Sequence, residues 1–197
     1  MSDPREPDVS RRGLLGSLFR RAASAAESQL PPARPAGRGR GLFPVIRPPG
    51  AVPEAQFLER CTRCNECVVA CPHDAITHAP PRFRHAAGTP MIDAAAAPCR
   101  MCDDFPCVAA CPEAALVPDE IGPIAIARLL DYNCLAHQGS FCTVCSEHCP
   151  EPGAIEVRDG KPTIVEGPCT GCGICHHVCP APTNAVAMMP RPFEEPE

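Results

Sequence analysis

The sequence predicts an α+β fold built from repeated four-cysteine modules, each a cysteine loop, a short helix and a short strand or β-hairpin, preceded by a disordered N-terminal extension. Three observations lead there. The chain of 197 residues holds 16 Cys, 27 Pro and 14 Gly, with one Tyr and no Trp. Leu, Ile, Val and Phe together number only 38, about 19% of the residues, too few for a large aliphatic core. All sixteen cysteines lie between Cys61 and Cys179, in four groups of four. Hydrocarbon cannot organise such a chain alone, and the sulfurs are the remaining candidate.

Charge marks out the extension. Residues 1–50 carry nine Arg against four acids, net +5, whereas residues 51–197 carry nine bases against nineteen acids, net −10. The stretch 31–53 contains Pro31-Pro32, Gly37-Arg38-Gly39-Arg40-Gly41 and Pro48-Pro49. It has neither helical nor strand period and reads as an extended linker. The expected organisation is a basic, mostly disordered extension over 1–50, a cysteine-rich body over 51–190 and a tail over 191–197.

Within the extension, Ser10-Arg11-Arg12-Gly13-Leu14-Leu15 resembles the start of a twin-arginine export signal. Its apolar stretch, 13–19, is seven residues long before Arg20 and Arg21 interrupt it, at the bottom of the usual ~7 to 15 residues. A cytoplasmic protein is therefore expected, with periplasmic export through that signal as the alternative. Leu14, Leu15, Leu18 and Phe19 also fit a short amphipathic helix that docks on a partner. No run approaches the ~20 apolar residues of a membrane-spanning helix, and the dearth of aromatic side chains leaves few stacking platforms for single-stranded nucleic acid. Neither a transmembrane segment nor a nucleic-acid partner is expected.

The cysteine groups form an internal repeat. Group one (61–71) reads Cys61-x2-Cys64-x2-Cys67-x3-Cys71-Pro72, and group two (99–111) reads Cys99-x2-Cys102-x4-Cys107-x3-Cys111-Pro112. Group three (134–149) is Cys134-x7-Cys142-x2-Cys145-x3-Cys149-Pro150, and group four (169–179) is Cys169-x2-Cys172-x2-Cys175-x3-Cys179-Pro180. Three cysteines at x2 spacing wrap a compact loop in which backbone N–H groups can point at sulfur. The fourth lies one helical turn after the third, so a short helix carries it away from its own loop. The following Pro has no N–H and a fixed φ, and turns the chain out.

Strand signals follow the groups. Ala154-Ile155-Glu156-Val157 and Thr163-Ile164-Val165 flank Arg158-Asp159-Gly160-Lys161-Pro162, a β-hairpin pattern. Ala75-Ile76-Thr77, Ala114-Ala115-Leu116-Val117 and Ala185-Val186-Ala187-Met188 start short strands after the other Cys-Pro pairs.

A tetrahedral thiolate site suits zinc or iron-sulfur, and spacing decides between them. Zinc sites pair two Cys-x2-Cys knuckles across a spacer and have no use for a third cysteine at x2 or a recurring Cys-Pro. Eight disulfides would not place cysteines so regularly one turn apart. Metal binding also answers the composition problem, because clusters anchored at four sulfurs each supply the folding free energy that a thin core lacks.

The Cys-x2-Cys-x2-Cys-x3-Cys-Pro run resembles the bacterial two-cluster ferredoxin signature, in which the last Cys ligates the other cluster. Groups one and four match it, and groups two and three lengthen a loop while keeping its ending. The resemblance implies tandem or nested dicluster-ferredoxin-like modules holding four [4Fe-4S] clusters through all sixteen cysteines. Two pairings are open. Groups one with four and two with three would nest, with Cys179 completing the site of Cys61, Cys64 and Cys67; groups one with two and three with four would run sequentially, with Cys111 completing it. Likeness of loop length gives nesting a slight preference.

Further strings are similar to the ferredoxin-type accessory proteins of the NapG/MauM and NapF group, associated with periplasmic nitrate reductase and methylamine dehydrogenase systems. They are Arg47-Pro48-Pro49-Gly50-Ala51 with Pro53-Glu54 and Phe57-Leu58; Pro98-Cys99-x-Met101-Cys102 with Pro106-Cys107-Val108; Asn133-Cys134-Leu135 with Gln138-Gly139; and Gly167-Pro168-Cys169-Thr170-Gly171-Cys172-Gly173. This resemblance implies an electron-transfer subunit working beside a membrane quinol-oxidising subunit or a reductase.

No Gly-rich phosphate loop, nucleophile elbow or paired-His motif is present, so no enzymatic active site is expected. His137, His148, His176 and His177 read as solvent-facing or second-sphere residues, and Glu113, Glu147 and Glu151 as charged surface. Two functions compete: a relay of single electrons between donor and acceptor proteins, favoured, and an interaction or assembly factor that helps mature a partner reductase. The acidic body, made more negative by oxidised clusters of formal charge about −2 each, suits steering to basic docking patches.

Overall fold

A computed structural model describes residues 45–191. The Ser10-Arg11-Arg12 segment, the rest of the extension up to residue 44 and residues 192–197 of the tail lie outside the described residues. The expected linker does not reach Pro53: Val45, Arg47, Pro48, Pro49 and Gly50 are all buried, so the body takes in residues 45–50 as well. The cause is a buried cation. Arg47, 3% exposed, donates from Nε and Nη2 to the two carboxylate oxygens of Glu54 (2.8 and 2.5 Å). Its Nη1 donates to Thr89 Oγ1 and to the Pro90 carbonyl, both at 2.7 Å, and the guanidinium carbon stands 4.3 Å from the centre of the Phe57 ring. A charge satisfied this completely is fixed in place, and the neighbouring prolines are fixed with it.

Helix α1 (Glu54–Arg60) follows Pro53 and buries Phe57. Among the described residues, three two-stranded antiparallel sheets, four further short α-helices and two 3-10 helical turns, Pro81–Ala86 and Pro118–Glu120, make up the rest of the regular structure. Strand β1 (Ile76–His78) pairs with β2 (Pro90–Ile92), and the Ile46 carbonyl accepts from Ile92 N–H, which adds the entering chain to that pair. The strand expected at 114–117 is reduced to one bridge, Ala51 to Leu116. Gly50 explains how the two segments close up: with φ +75° it sits where a Cβ would lie 2.6 Å from the Val117 carbonyl oxygen, and its own carbonyl accepts from Val117 N–H.

Strand β3 (Ala125–Leu129) pairs with β6 (Val186–Pro190). Strands β4 (Ile155–Arg158) and β5 (Lys161–Ile164) form the expected hairpin. Its two-residue turn, Asp159 and Gly160, has φ +51° and +74°, the left-handed pair that a tight hairpin twist requires.

The core is thin and contains sulfur. Val52, Phe57, Ile76, Ile92, Val108 and Leu116 pack with Cys67, Cys99 and Cys107 in the first half. In the second half, Ala127 and Val186 pack with Cys175, and Ala136 and Ala185 with Cys134. Alanine and cysteine replace branched aliphatics there, as the composition requires.

Candidate metal centres

Each cysteine group ends in one turn of helix. Helices α2 (Glu66–Ala70), α3 (Pro106–Ala109), α4 (Val144–Glu147) and α5 (Ile174–His177) each begin one residue before the third cysteine of their group. The last cysteine follows each of them and faces the neighbouring group. Helices α2 and α3 pack together, as do α4 and α5.

This packing brings the sixteen thiols together in four quartets. Cys61, Cys64 and Cys67 share a cavity with Cys111. Cys99, Cys102 and Cys107 share one with Cys71, and Cys169, Cys172 and Cys175 share one with Cys149. Cys134 packs with Cys142 and Cys179, and Cys145 feels the charges of Cys134 and Cys142. The pairing is therefore sequential, one with two and three with four, and the preference for nesting does not hold. Loop length was the wrong guide, because the exchange of cysteines depends on the helix between the third and fourth cysteine, which all four groups share.

Loop conformation turns the backbone toward sulfur. Arg63 and Asn65 in group one, Met101 and Phe105 in group two, and Gly171 and Gly173 in group four all have positive φ. Residues in this conformation aim successive N–H groups into one concavity, an arrangement suited to anions. Met101 N–H lies 3.4 Å from Cys99 Sγ, and Ala185 N–H lies 3.4 Å from Cys179 Sγ. The two glycines of group four were the sequence signal for this geometry.

Burial pushes the Cys67 thiol up to about 11, with Cys111 and then Cys61 and Cys64 adding to the shift. Cys107 is likewise raised to about 11 by burial and by Cys71. Burial also raises Cys99 to about 11, against the lowering effect of the Met101 N–H, and Cys145 to about 11. Cys175 is pushed up to about 12 by burial, then by Cys172 and Cys169. Four such thiols become thiolates together only when a cation compensates their charge.

The residues fit a cubane cluster. The donors are soft sulfurs only, standing around cavities lined elsewhere by apolar atoms. Among the described residues, no three or more His, Cys, Asp or Glu side chains converge closely enough for a single metal ion. Thr170 Oγ1, on the wall of the fourth cavity, is the one buried side-chain polar atom among the described residues without a hydrogen-bond partner, and its hydroxyl could donate a hydrogen bond to sulfur there.

The histidines are structural donors to carbonyls: His137 to Pro162 (3.0 Å), His148 to Val144 (2.9 Å), His176 to Val186 (2.6 Å) and His177 to Ala95 (3.0 Å). Glu113 and Glu151 line the rims of the first and fourth cavities.

The halves meet at group two and group four. Cys99 N–H donates to the Cys172 carbonyl (3.1 Å), and Ile124 N–H to that of Thr170 (2.9 Å). A Cβ on Gly171 would lie 2.0 Å from the Ala125 carbonyl oxygen, and one on Gly173 would lie 2.5 Å from Ala94 Cβ. Group two, which supplies three sulfurs of the second quartet, and group four, which supplies three of the fourth, are thus neighbours across the junction.

Comparison with known proteins agrees. A 4Fe-4S dicluster domain is recognised over residues 60–115, the span of groups one and two together. The chain is 37% identical to the ferredoxin-type protein NapG of Escherichia coli K12, over 96% of this chain and 90% of that protein. It is 38% identical to the methylamine utilization ferredoxin-type protein MauM of Methylorubrum extorquens, over 75% of this chain and 73% of that one. Against the ferredoxin-type protein NapF of Escherichia coli K12, identity is 30% over 88% of this chain and 91% of that one. No solved structure matches it.

Proposed function

From its membership of the family of ferredoxin-type iron-sulfur proteins that includes NapG and MauM, we propose that this chain is an electron relay. Its sixteen cysteines hold four [4Fe-4S] clusters, and it passes single electrons from a quinol-linked or other redox protein to an oxidoreductase. One observation carries the reading: each quartet takes three sulfurs from one group and the fourth from its partner group. Within a module the two sites are therefore built as one unit, which suits transfer between them.

A bound cluster supplies one-electron storage at a potential set by its surroundings. The chain's own contribution is to hold and shield that charge. Cysteine thiolates fix position, N–H groups such as that of Met101 stabilise negative sulfur, and Phe57, Val68 and Leu116 on the wall of the first cavity exclude water. Cys64 is exposed, which leaves the first site open at one edge. The chain's residues have no bond to make or break, in keeping with a carrier rather than a catalyst.

The test is iron and acid-labile sulfide content of anaerobically purified protein, with low-temperature EPR after dithionite reduction. Four cubanes per chain with interacting signals are expected. A colourless protein containing stoichiometric zinc would overturn the reading, and clusters that no protein acceptor reoxidises would favour a role in maturing a partner.

A further inference from the structure

The junction sets an order for the four sites. Groups one and two exchange sulfurs, groups three and four do the same, and the halves touch through Cys99 and Cys172. The path therefore runs from the first site to the second, then to the fourth and the third. Its ends are the site of Cys61, Cys64, Cys67 and Cys111 and the site of Cys134, Cys142, Cys145 and Cys179.

The third-site end carries an unusual surface for a chain so poor in aromatic residues. Tyr132, the only tyrosine, is 72% exposed, and Phe141 is 92% exposed. Tyr132 is two residues from Cys134, and Phe141 adjoins Cys142, so both stand beside ligands of one quartet. The loop that carries them is held in shape: Gln138 donates its side-chain amide to the Tyr132 carbonyl, and Ser140 N–H donates to that of Leu135. Leaving two rings in water on an ordered loop forfeits burial that a monomer would otherwise gain.

Charge says what covers them. Between Arg128 and Arg158 there is no Lys or Arg, while the side chain of Asp131 is 71% exposed and Glu147 is exposed. Two exposed rings on a segment that carries exposed acids and no Lys or Arg complement a partner whose surface is apolar in the middle and basic around it.

We propose that this face is where a redox protein with a basic, apolar-centred surface docks, and that electrons enter or leave the chain at the third site. The proposal deepens the relay reading and rests on it.

The test uses cluster-loaded full-length protein and a basic c-type cytochrome as probe. The variant Y132S/F141S is expected to keep its iron content and EPR spectrum, to bind the cytochrome about tenfold more weakly at low salt, and to lose most of the rate at which the reduced chain reduces it. Ferricyanide, which needs no docking, should oxidise it at nearly the wild-type rate. V69S, at the exposed Val69 (81%) of α2, is the control at the other end and should leave cytochrome binding unchanged. Equal affinity for Y132S/F141S and wild type, or an equal loss in V69S, would overturn the proposal. So would loss of a dimer by Y132S/F141S in sedimentation, which would assign the face to a second copy of this chain. Failure of the relay reading would instead show as missing iron in the wild type.

Discussion

Cys111 is the strongest electrostatic neighbour of Cys67 among the thiols around it, ahead of Cys61 and Cys64 from its own group. The last cysteine of group two therefore belongs to the site that group one begins, and the reciprocal holds for Cys71 beside Cys107.

Replacing both members of one site should cost no more than replacing one. C61S and C111S are each expected to lose one cluster's iron, and C61S/C111S the same amount, because both act on one site. C61S/C179S should lose two. Iron analysis and EPR intensity decide, and the reverse pattern would restore the nested arrangement.

Gly171 admits no side chain. G171A places a methyl group against the Ala125 backbone at a residue with positive φ, and should destabilise the loaded protein by about 2 kcal/mol or more. G153A, equally left-handed but open to solvent, should cost about 1 kcal/mol from conformation alone. Anaerobic denaturant titrations followed by cluster absorbance provide the comparison, and equal midpoints would refute the close approach of β3.

The Arg47 to Glu54 pair is buried on both sides, at 3% and 10% side-chain exposure. E54A leaves a desolvated guanidinium without its carboxylate and should cost about 3–5 kcal/mol, whereas the apolar pair R47M/E54L should recover much of that loss. A thermal midpoint for E54A within a degree of wild type would show that residues 45–50 are held by something else.

Cluster insertion should release protons. The ordinary thiol value is 9.0, and burial moves Cys67, Cys99, Cys107 and Cys145 to about 11 and Cys175 to about 12. At pH 7 to 8 these groups hold protons until metal displaces them, so reconstitution becomes more favourable as pH rises and acid strips the clusters. Anaerobic reconstitution in weak buffer with an indicator dye measures the release, and an uptake of protons would contradict the burial.

Removing the metal removes the core. With so little branched aliphatic side chain, the chelated chain is expected to lose its far-ultraviolet circular dichroism and its protease resistance together. Retention of both would show that the packing of Phe57, Ile92 and Leu116 suffices.

Much of this was legible in the sequence because thiolate spacing is a rigid constraint. The x3-Cys-Pro ending fixed the four one-turn helices, and Asp159-Gly160 fixed the hairpin. Pairing was not legible, since both arrangements satisfy the same spacings and only the packing of α2 on α3 and α4 on α5 distinguishes them. Residues 45–50 look like a linker in the sequence because of Pro48-Pro49, while the partners that bury Arg47, Glu54 and Thr89, are not visible there as a set. The strand at Leu116 shrank to a bridge because its partner segment stops at Pro53, which has no N–H to donate and leads straight into α1.

The pairing of β3 with β6 gives assembly a direction in time. During synthesis from the N-terminus, all eight cysteines of the first half have been made by residue 111, and the chain through Leu116 completes the contacts to Ala51. Strand β6 begins at Val186, well after β3 ends at Leu129, so β3 waits without its partner while the intervening chain is made. The first half therefore has all its cysteines and strands before the second half has its last strand. Truncation near residue 185 would therefore damage the half that reaches the docking face and spare the half that was made first.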